Sequence, residues 1–209
     1  NSLEGWIAGN DGTIRKTTDG GASWTQTVDL GANGADDMYF ESSTVGYIAY
    51  NQNIRRTTNG GTSWTTVGNA AAGLFTALSY GTATVAWAVG GGGLIMKTAN
   101  GGTSWANQGN TQSNELFECD FVDENRGWAA GAGGILLYTT NAGQNWTVGN
   151  SGTTQTLNGV HFASANEGWI CGNSGVIRRT ADGGLTWTAQ TSPYTGALNA
   201  VYFHSPTLG

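Results

Sequence analysis

A tryptophan-containing box recurs five times at a nearly constant interval along this chain of 209 residues. Each box has the form Thr-x-(Asp/Asn)-x-Gly-x-x-Trp, and successive boxes start 40, 41, 41 and 41 residues apart. The boxes occupy residues 17–24, 57–64, 98–105, 139–146 and 180–187. They end at Trp24, Trp64, Trp105, Trp146 and Trp187. A fixed period of this length indicates a repeat architecture, in which each unit buries its apolar face against the next unit.

Four short strands are predicted within each repeat. In the last full repeat they are an alternating stretch ending at Phe162, a Gly-Trp stretch from Gly168, a strand around Ile177 and a strand that starts at the box tryptophan. Such alternation is a strand signal, and no stretch keeps a helical period for three turns. Four strands of about five residues with short turns fill a repeat of about 41 residues, which is the size of one propeller blade.

The two ends of the chain match complementary parts of a repeat, because Val201 and Phe203 correspond to Val160 and Phe162. We therefore expect an all-β fold, a single five-bladed β-propeller domain over residues 1–209 with four antiparallel strands per blade. Pairing of residues 198–204 with the sheet of residues 5–27 is predicted to close the ring, since closure removes an exposed strand edge. The alternative is a piece of a longer array.

Composition restricts the class of protein. Thirty-five glycines with only two prolines exclude a collagen-like chain, and nine Trp, seven Tyr and six Phe indicate a packed core despite 11% charged residues. The formal net charge of −6 argues against nucleic-acid binding. No apolar stretch is long enough for a membrane span.

Each box is predicted to form a hairpin turn. Its acid or amide side chain can accept hydrogen bonds from backbone N–H groups of the same turn. These side chains are Asp19, Asn59, Asn100, Asn141 and Asp182. Because they recur in every blade, we interpret them and the box tryptophans as structural, and not as metal ligands or catalytic acids.

The box resembles the Asp-box of BNR-type propellers, and the whole period, with GWxxG before T-x-D-G-G-x-T-W, is similar to the photosystem II stability/assembly factor family. This resemblance covers essentially the full chain. It implies a non-enzymatic protein that docks an unassembled membrane-protein subunit through an arginine patch. Propellers of that family generally have seven blades, whereas five are counted here. Related boxes also occur in xyloglucanase-type glycoside hydrolases and sortilin-type receptors, so the box indicates a fold and not a function.

Seven of the eight Lys and Arg residues lie on the strand just before the box. Six of them form pairs on blades one, two and five: Arg15, Lys16, Arg55, Arg56, Arg178 and Arg179. In a closed ring these blades are neighbours, so we predict one basic arc that binds an acidic protein or peptide. By resemblance, all of these except Lys16 correspond to the arginine patch of the family. The alternative is that the long side chains only cover the blade surface.

Acidic residues on the predicted innermost strands are the candidates for catalysis: Asp36, Asp37, Glu118 and Asp120. A glycosidase needs two carboxylates that face each other across the substrate. Carbohydrate binding or hydrolysis is therefore the second hypothesis, although acids near a channel are more often simply solvated.

No metal site or cofactor is predicted. His161 and His204 occupy non-equivalent positions in their repeats, and Cys119 and Cys171 match apolar positions of other repeats, which indicates buried free thiols. We expect a non-enzymatic binding or scaffold propeller in an exported location, which means the periplasm, a lumen or the extracellular space.

Overall fold

A computed structural model describes residues 3–31, 34–70, 73–205 and 209, and within them the strands form five antiparallel sheets. Blade one contains β1 (Gly5–Ala8), β2 (Thr13–Thr17) and β3 (Thr25–Asp29). Blade two contains β4 (Ala35–Phe40), β5 (Gly46–Tyr50), β6 (Asn53–Thr57) and β7 (Thr65–Asn69). Blade three contains β8 (Phe75–Tyr80), β9 (Ala86–Gly90), β10 (Ile95–Thr98) and β11 (Ala106–Asn107).

The last two blades repeat this order. Blade four contains β12 (Leu116–Phe121), β13 (Gly127–Gly131), β14 (Leu136–Thr139) and β15 (Thr147–Val148). Blade five contains β16 (Leu157–Phe162), β17 (Gly168–Gly172), β18 (Ile177–Thr180) and β19 (Thr188–Ala189). Short 3₁₀ turns at Gly91–Gly93, Ala132–Gly134 and Asn173–Gly175 join the second and third strands of blades three to five. No helix in the described ranges has the length and apolarity that a membrane crossing requires.

Aromatic contacts join each blade to the next, and most of them are stacks. The second-strand ring Trp128 stacks on Phe162, at the end of the next blade's first strand, with ring centroids 3.4 Å apart and planes 10° apart. Trp187, the box tryptophan of that next blade, packs edge-on against Phe162 at 5.9 Å. The same triad joins blades one and two and blades three and four. Such aromatic pairs contribute about 0.5–1.5 kcal/mol each beyond the area they bury.

Each box folds as a hydrogen-bonded turn. In the first, the Thr17 hydroxyl donates to Asp19 Oδ1 at 2.7 Å and accepts the Gly21 N–H at 2.9 Å. The Ser23 hydroxyl and N–H also donate to the Asp19 carboxylate, and these bonds lower the pKa of Asp19. In the second box Asn59 Oδ1 accepts the equivalent bonds from Thr57 Oγ1 and Ser63 N. An amide therefore replaces a carboxylate here without loss of the acceptor.

The residues after blade five lie where the inner strand of a following repeat would lie. Phe203 stacks on Trp169 with ring centroids 3.6 Å apart. The Phe203 carbonyl oxygen is 2.9 Å from His161 Nε2. A Cβ added at Gly209 would collide with the Phe203 ring, as one added at Gly168 would collide with the Phe162 ring. Phe203 therefore faces the glycine of its own repeat.

The structure does not show the predicted ring closure. Within the described residues β1 is the edge strand of a three-stranded sheet, and no hydrogen bond, ion pair or ring contact there joins blade one to residues 198–205. Ile7 on this edge is 47% exposed, whereas the equivalent Ile48 of blade two is fully buried. Phe203 packs against Trp169 of blade five, and within the described residues no strand pairing continues from this tail to β1.

We predict that Gly168→Ala lowers the free energy of unfolding by about 1–3 kcal/mol, the usual cost of overpacking. The new Cβ would lie 2.5 Å from Phe162 Cδ1, and Trp128 and Trp187 on either side prevent that ring from moving. Urea denaturation measures the change. Gly109→Ala is the matched control, because its Cβ would meet no atom within 4 Å. Equal stability of the two variants would contradict the role given to the stack.

Candidate functional site

The second residue of each basic pair lies against the second-strand aromatic ring of its own blade. Lys16 Nζ is 4.8 Å from the Trp6 ring centroid, and Arg56 Cζ is 5.8 Å from that of Tyr47. Arg179 lies over Trp169 in the same way. These rings belong to the stacks that join the blades, so cation–π contacts explain why a cation suits this position.

On blades two and five, the first residue of the pair points toward the preceding blade. Arg55 Cζ lies 4.6 Å from the Tyr50 ring centroid, at the interface with blade one. Arg178 Nη2 donates to the Gly152 carbonyl, in the loop that leaves blade four. Arg15 is exposed, since no blade precedes its sheet in the described residues.

Ion pairing divides the cations into two groups. Lys16 pairs with Glu4 at 3.2 Å, Arg126 with Asp123 at 2.8 Å and Arg179 with Glu167 at 2.7 Å. The remaining cations form no ion pair within the part of the chain that the structure describes: Arg15, Arg55, Arg56, Lys97 and Arg178. Lys97 donates instead to the Ala142 carbonyl.

The structure describes no contact that joins all six predicted arc residues. Arg15, Lys16, Arg55 and Arg56 lie on the corresponding strands β2 and β6 of the adjacent blades one and two. Arg178 and Arg179 lie on β18 of blade five, which has no described polar or ring contact with blade one. The arc was predicted on the assumption of a closed ring, and the described residues do not form one.

Two of the four candidate catalytic acids connect neighbouring blades. Asp37 Oδ2 accepts the Leu78 N–H at 2.7 Å, across the interface of blades two and three. Asp120 Oδ2 accepts the Phe162 N–H at 2.6 Å and lies 3.3 Å from His161 Nδ1. Both carboxylates therefore have backbone partners. In the described ranges no three His, Cys, Asp or Glu side chains are grouped as a metal site would require, and Cys119 and Cys171 are free and buried.

Burial shifts the pKa values of three of the four candidate catalytic acids. Burial, together with the negative charges of Asp37 and Asp120, raises the pKa of Glu118 to about 8. Burial also raises the pKa values of Asp37 and Asp36. The hydrogen bond to Asp120 raises the pKa of His161. Glu118 is therefore neutral and His161 favours its charged form near pH 6.

A cleft that the sequence did not predict opens between blades three and four. Its volume is about 750 Å³. Leu74 and Phe117 line it together with the glycine turn Gly91–Gly93. The sequence signal was present in the run of four glycines from Gly90 to Gly93, which no other repeat has at this point.

We predict that Glu118→Gln raises the melting temperature more at pH 8 than at pH 5. The folded pKa of about 8 exceeds the ordinary value of 4.5, so the folded state holds the extra proton between these two pH values. Wild-type stability must then fall as pH rises through this window, by up to about 1.4 kcal/mol per pH unit. Asp37 and His161 have raised pKa values and act in the same direction. Thermal melts of both proteins across this range measure the effect. The same pH dependence of the melting temperature in wild type and in Glu118→Gln would contradict the prediction.

A family model described as photosynthesis system II assembly factor YCF48 matches residues 72–150. No curated protein matches the chain by sequence. These residues are less than half of the chain, so the match locates the resemblance chiefly in blades three and four.

Solved structures match almost the whole chain. The alignment with YCF48 bound to D1 peptide has 19% identity and a TM-score of 0.53, and it covers 99% of this chain and 84% of that one. YCF48 from Cyanidioschyzon merolae gives 18% identity, a TM-score of 0.77 and coverage of 99% and 75%. An ancestral GH74 enzyme gives 16% identity and a TM-score of 0.77, but the alignment covers 96% of this chain and only 31% of the enzyme. At these identities the structural matches indicate a shared fold. The chain is thus a BNR-type β-propeller that resembles the photosystem II assembly factor.

Proposed function

We propose that this propeller is a non-enzymatic binding protein that docks an acidic peptide segment of a protein partner across blades one and two. The observation that carries the proposal is the set of arginines on two adjacent blades that form no ion pair within the described residues. Arg15, Arg55 and Arg56 form no ion pair in the described residues, although three other cations of the chain do. A guanidinium with free donors recognises a carboxylate through two parallel hydrogen bonds.

The environment of Arg55 supports this assignment. Its Nε is buried and has no hydrogen-bond partner among the described residues. The Arg55 guanidinium forms no hydrogen bond within the described residues, so its terminal nitrogens remain available to a carboxylate. Arg56 Nε instead donates to the Tyr47 hydroxyl at 3.2 Å, which leaves the other nitrogen donors of its guanidinium for a ligand.

The blade-five pair belongs to this surface only in a closed ring. Pairing of residues 198–204 with β1 would bring Arg178 and Arg179 beside Arg15, and we include them on that condition. To bind a carboxylate of the peptide, Arg178 would have to break its hydrogen bond to the Gly152 carbonyl. Arg179 would have to break its ion pair with Glu167.

The comparison with known structures favours a peptide as the ligand. One matching propeller was solved with a peptide bound. The four candidate acids favour hydrolysis less strongly, because Asp37 and Asp120 already accept backbone N–H groups of neighbouring blades.

We also propose an exported location, because a chain with 11% charged residues and many Gly, Thr and Asn residues is typical of exported β-proteins. Fractionation of the source cells tests this point, and recovery in the cytosol alone would contradict it.

We predict that the triple variant Arg15→Ala, Arg55→Ala, Arg56→Ala binds an acidic peptide at least tenfold more weakly than wild type, because three positive charges are lost from one surface. Fluorescence anisotropy with a labelled Asp/Glu-rich peptide measures the affinity. Wild-type binding should weaken steeply with added salt, whereas binding of the triple variant should respond less.

Arg126→Ala is the control for this experiment, because Arg126 is exposed and already paired with Asp123. Its affinity should equal that of wild type. Unchanged binding by the triple variant, or an equal loss in Arg126→Ala, would refute the proposed site. Adding Arg178→Ala and Arg179→Ala then tests the closed ring, since a further loss is expected only if blade five contributes.

A further inference from the structure

The cleft between blades three and four exists because side chains are missing from one turn. In blade five the equivalent turn carries Asn173 and Ser174. Their side chains form hydrogen bonds with residues of the preceding loop and of the first strand of the blade. Ser174 Oγ donates to Gln155 Oε1 at 3.1 Å, and Asn173 Oδ1 accepts from Asn158 Nδ2 at 3.0 Å. These two bonds bridge the space that is open in blade three.

Blade three has glycine at three of these four bridging positions. Gly91 and Gly92 replace Asn173 and Ser174, and Gly73 replaces Gln155. The backbone is nevertheless the same, since Gly92 has φ 68° and ψ 23° where Ser174 has φ 59° and ψ 30°. A Cβ added at Gly92 would meet no atom within 4 Å. The absence of side chains, and not a different turn, therefore opens the cleft.

The lining of the cleft is neutral and partly apolar. Leu74, which is 51% exposed, and Phe117 supply apolar walls, while Asn107 and Gln112 supply amides. Among the described residues, Glu115 is the only charged one in the lining, and no lysine or arginine contributes. Anionic ligands are therefore disfavoured.

We propose that this cleft binds a neutral oligosaccharide. Sugar hydroxyls both donate and accept hydrogen bonds, and so do amide side chains. The C–H face of a sugar ring can pack on Phe117 and Leu74, while the exposed backbone of the glycine turn permits close approach of the ligand. A volume of about 750 Å³ is within the usual range for small-ligand sites. This site is separate from the arginines of blades one and two.

The test fills the cleft with the residues that blade five uses. Gly92→Ser alone, and together with Gly91→Asn, should weaken binding at least tenfold, because the new side chains occupy the ligand space. Isothermal titration with neutral tetrasaccharides of glucose, xylose, mannose and N-acetylglucosamine measures the affinity of wild type and variants. Asn107→Ala, on the exposed strand β11, is a second variant that removes an amide without altering the turn, and it should also weaken binding.

Gly133→Ser is the matched control, since it makes the same change at the equivalent position of blade four, where φ is also 68°. It should bind as wild type does. The proposal is overturned if none of the tetrasaccharides binds wild type, or if the filled variants bind unchanged. It is also overturned if wild type binds an uncharged apolar peptide but no sugar, and if Gly92→Ser abolishes that peptide binding. The triple arginine variant should bind sugar normally, which separates this proposal from that of peptide docking.

Discussion

The stack between a second-strand aromatic ring and the phenylalanine of the next blade holds the fold together. It buries two large rings at almost every interface and places the box tryptophan edge-on against them. The glycine opposite each phenylalanine leaves room for the ring, so the sequence of the repeat provides both the ring and its space. Between blades two and three the phenylalanine is replaced by Tyr80, and Tyr47 and Tyr80 meet at a tilted angle. The interface tolerates this change because both rings remain buried or nearly so.

The same stack explains the pattern of basic residues. A cation at the second position of the pair lies on the outer side of the stacked ring, which accounts for Lys16, Arg56, Lys97 and Arg179. In blade four Tyr138 occupies this position opposite Trp128. Much of the basic pattern is therefore part of the scaffold. Function must be sought in the cations that form no ion pair in the described part of the chain, and most of these lie on blades one and two.

The period of the sequence was sufficient to predict the fold class, the sheets and the strand order, because each repeat contains a complete set of strand and turn signals. Phe162, for example, ends an inner strand as its spacing predicts. Ring closure could not be predicted in the same way. The sequence shows that residues 198–203 copy an inner strand, but the sheet that such a strand joins depends on the angle between blades, and this angle arises from packing. The resemblance of Val201 to Val160 is equally compatible with pairing to β1 and with the start of another repeat.

The candidate site shows the same limit. The six cations were identified by their spacing, whereas their ion pairs with Glu4 and Glu167 depend on loops that the repeat pattern does not specify. The cleft was missed because a repeat analysis emphasises what the blades share. Gly91 and Gly92 lack the side chains that the equivalent residues of blade five have. Only the positions of those blade-five side chains show which space is left open in blade three.

The central claim is that blades one and two form a docking surface for an acidic peptide. Hydrogen–deuterium exchange with and without a saturating acidic peptide tests it directly, because it locates contact on the intact chain without any substitution. The account predicts slower exchange in β2 and β6 and unchanged exchange in the glycine turn Gly91–Gly93. Protection confined to blades three to five, or no protection at all when the peptide is bound, would contradict it.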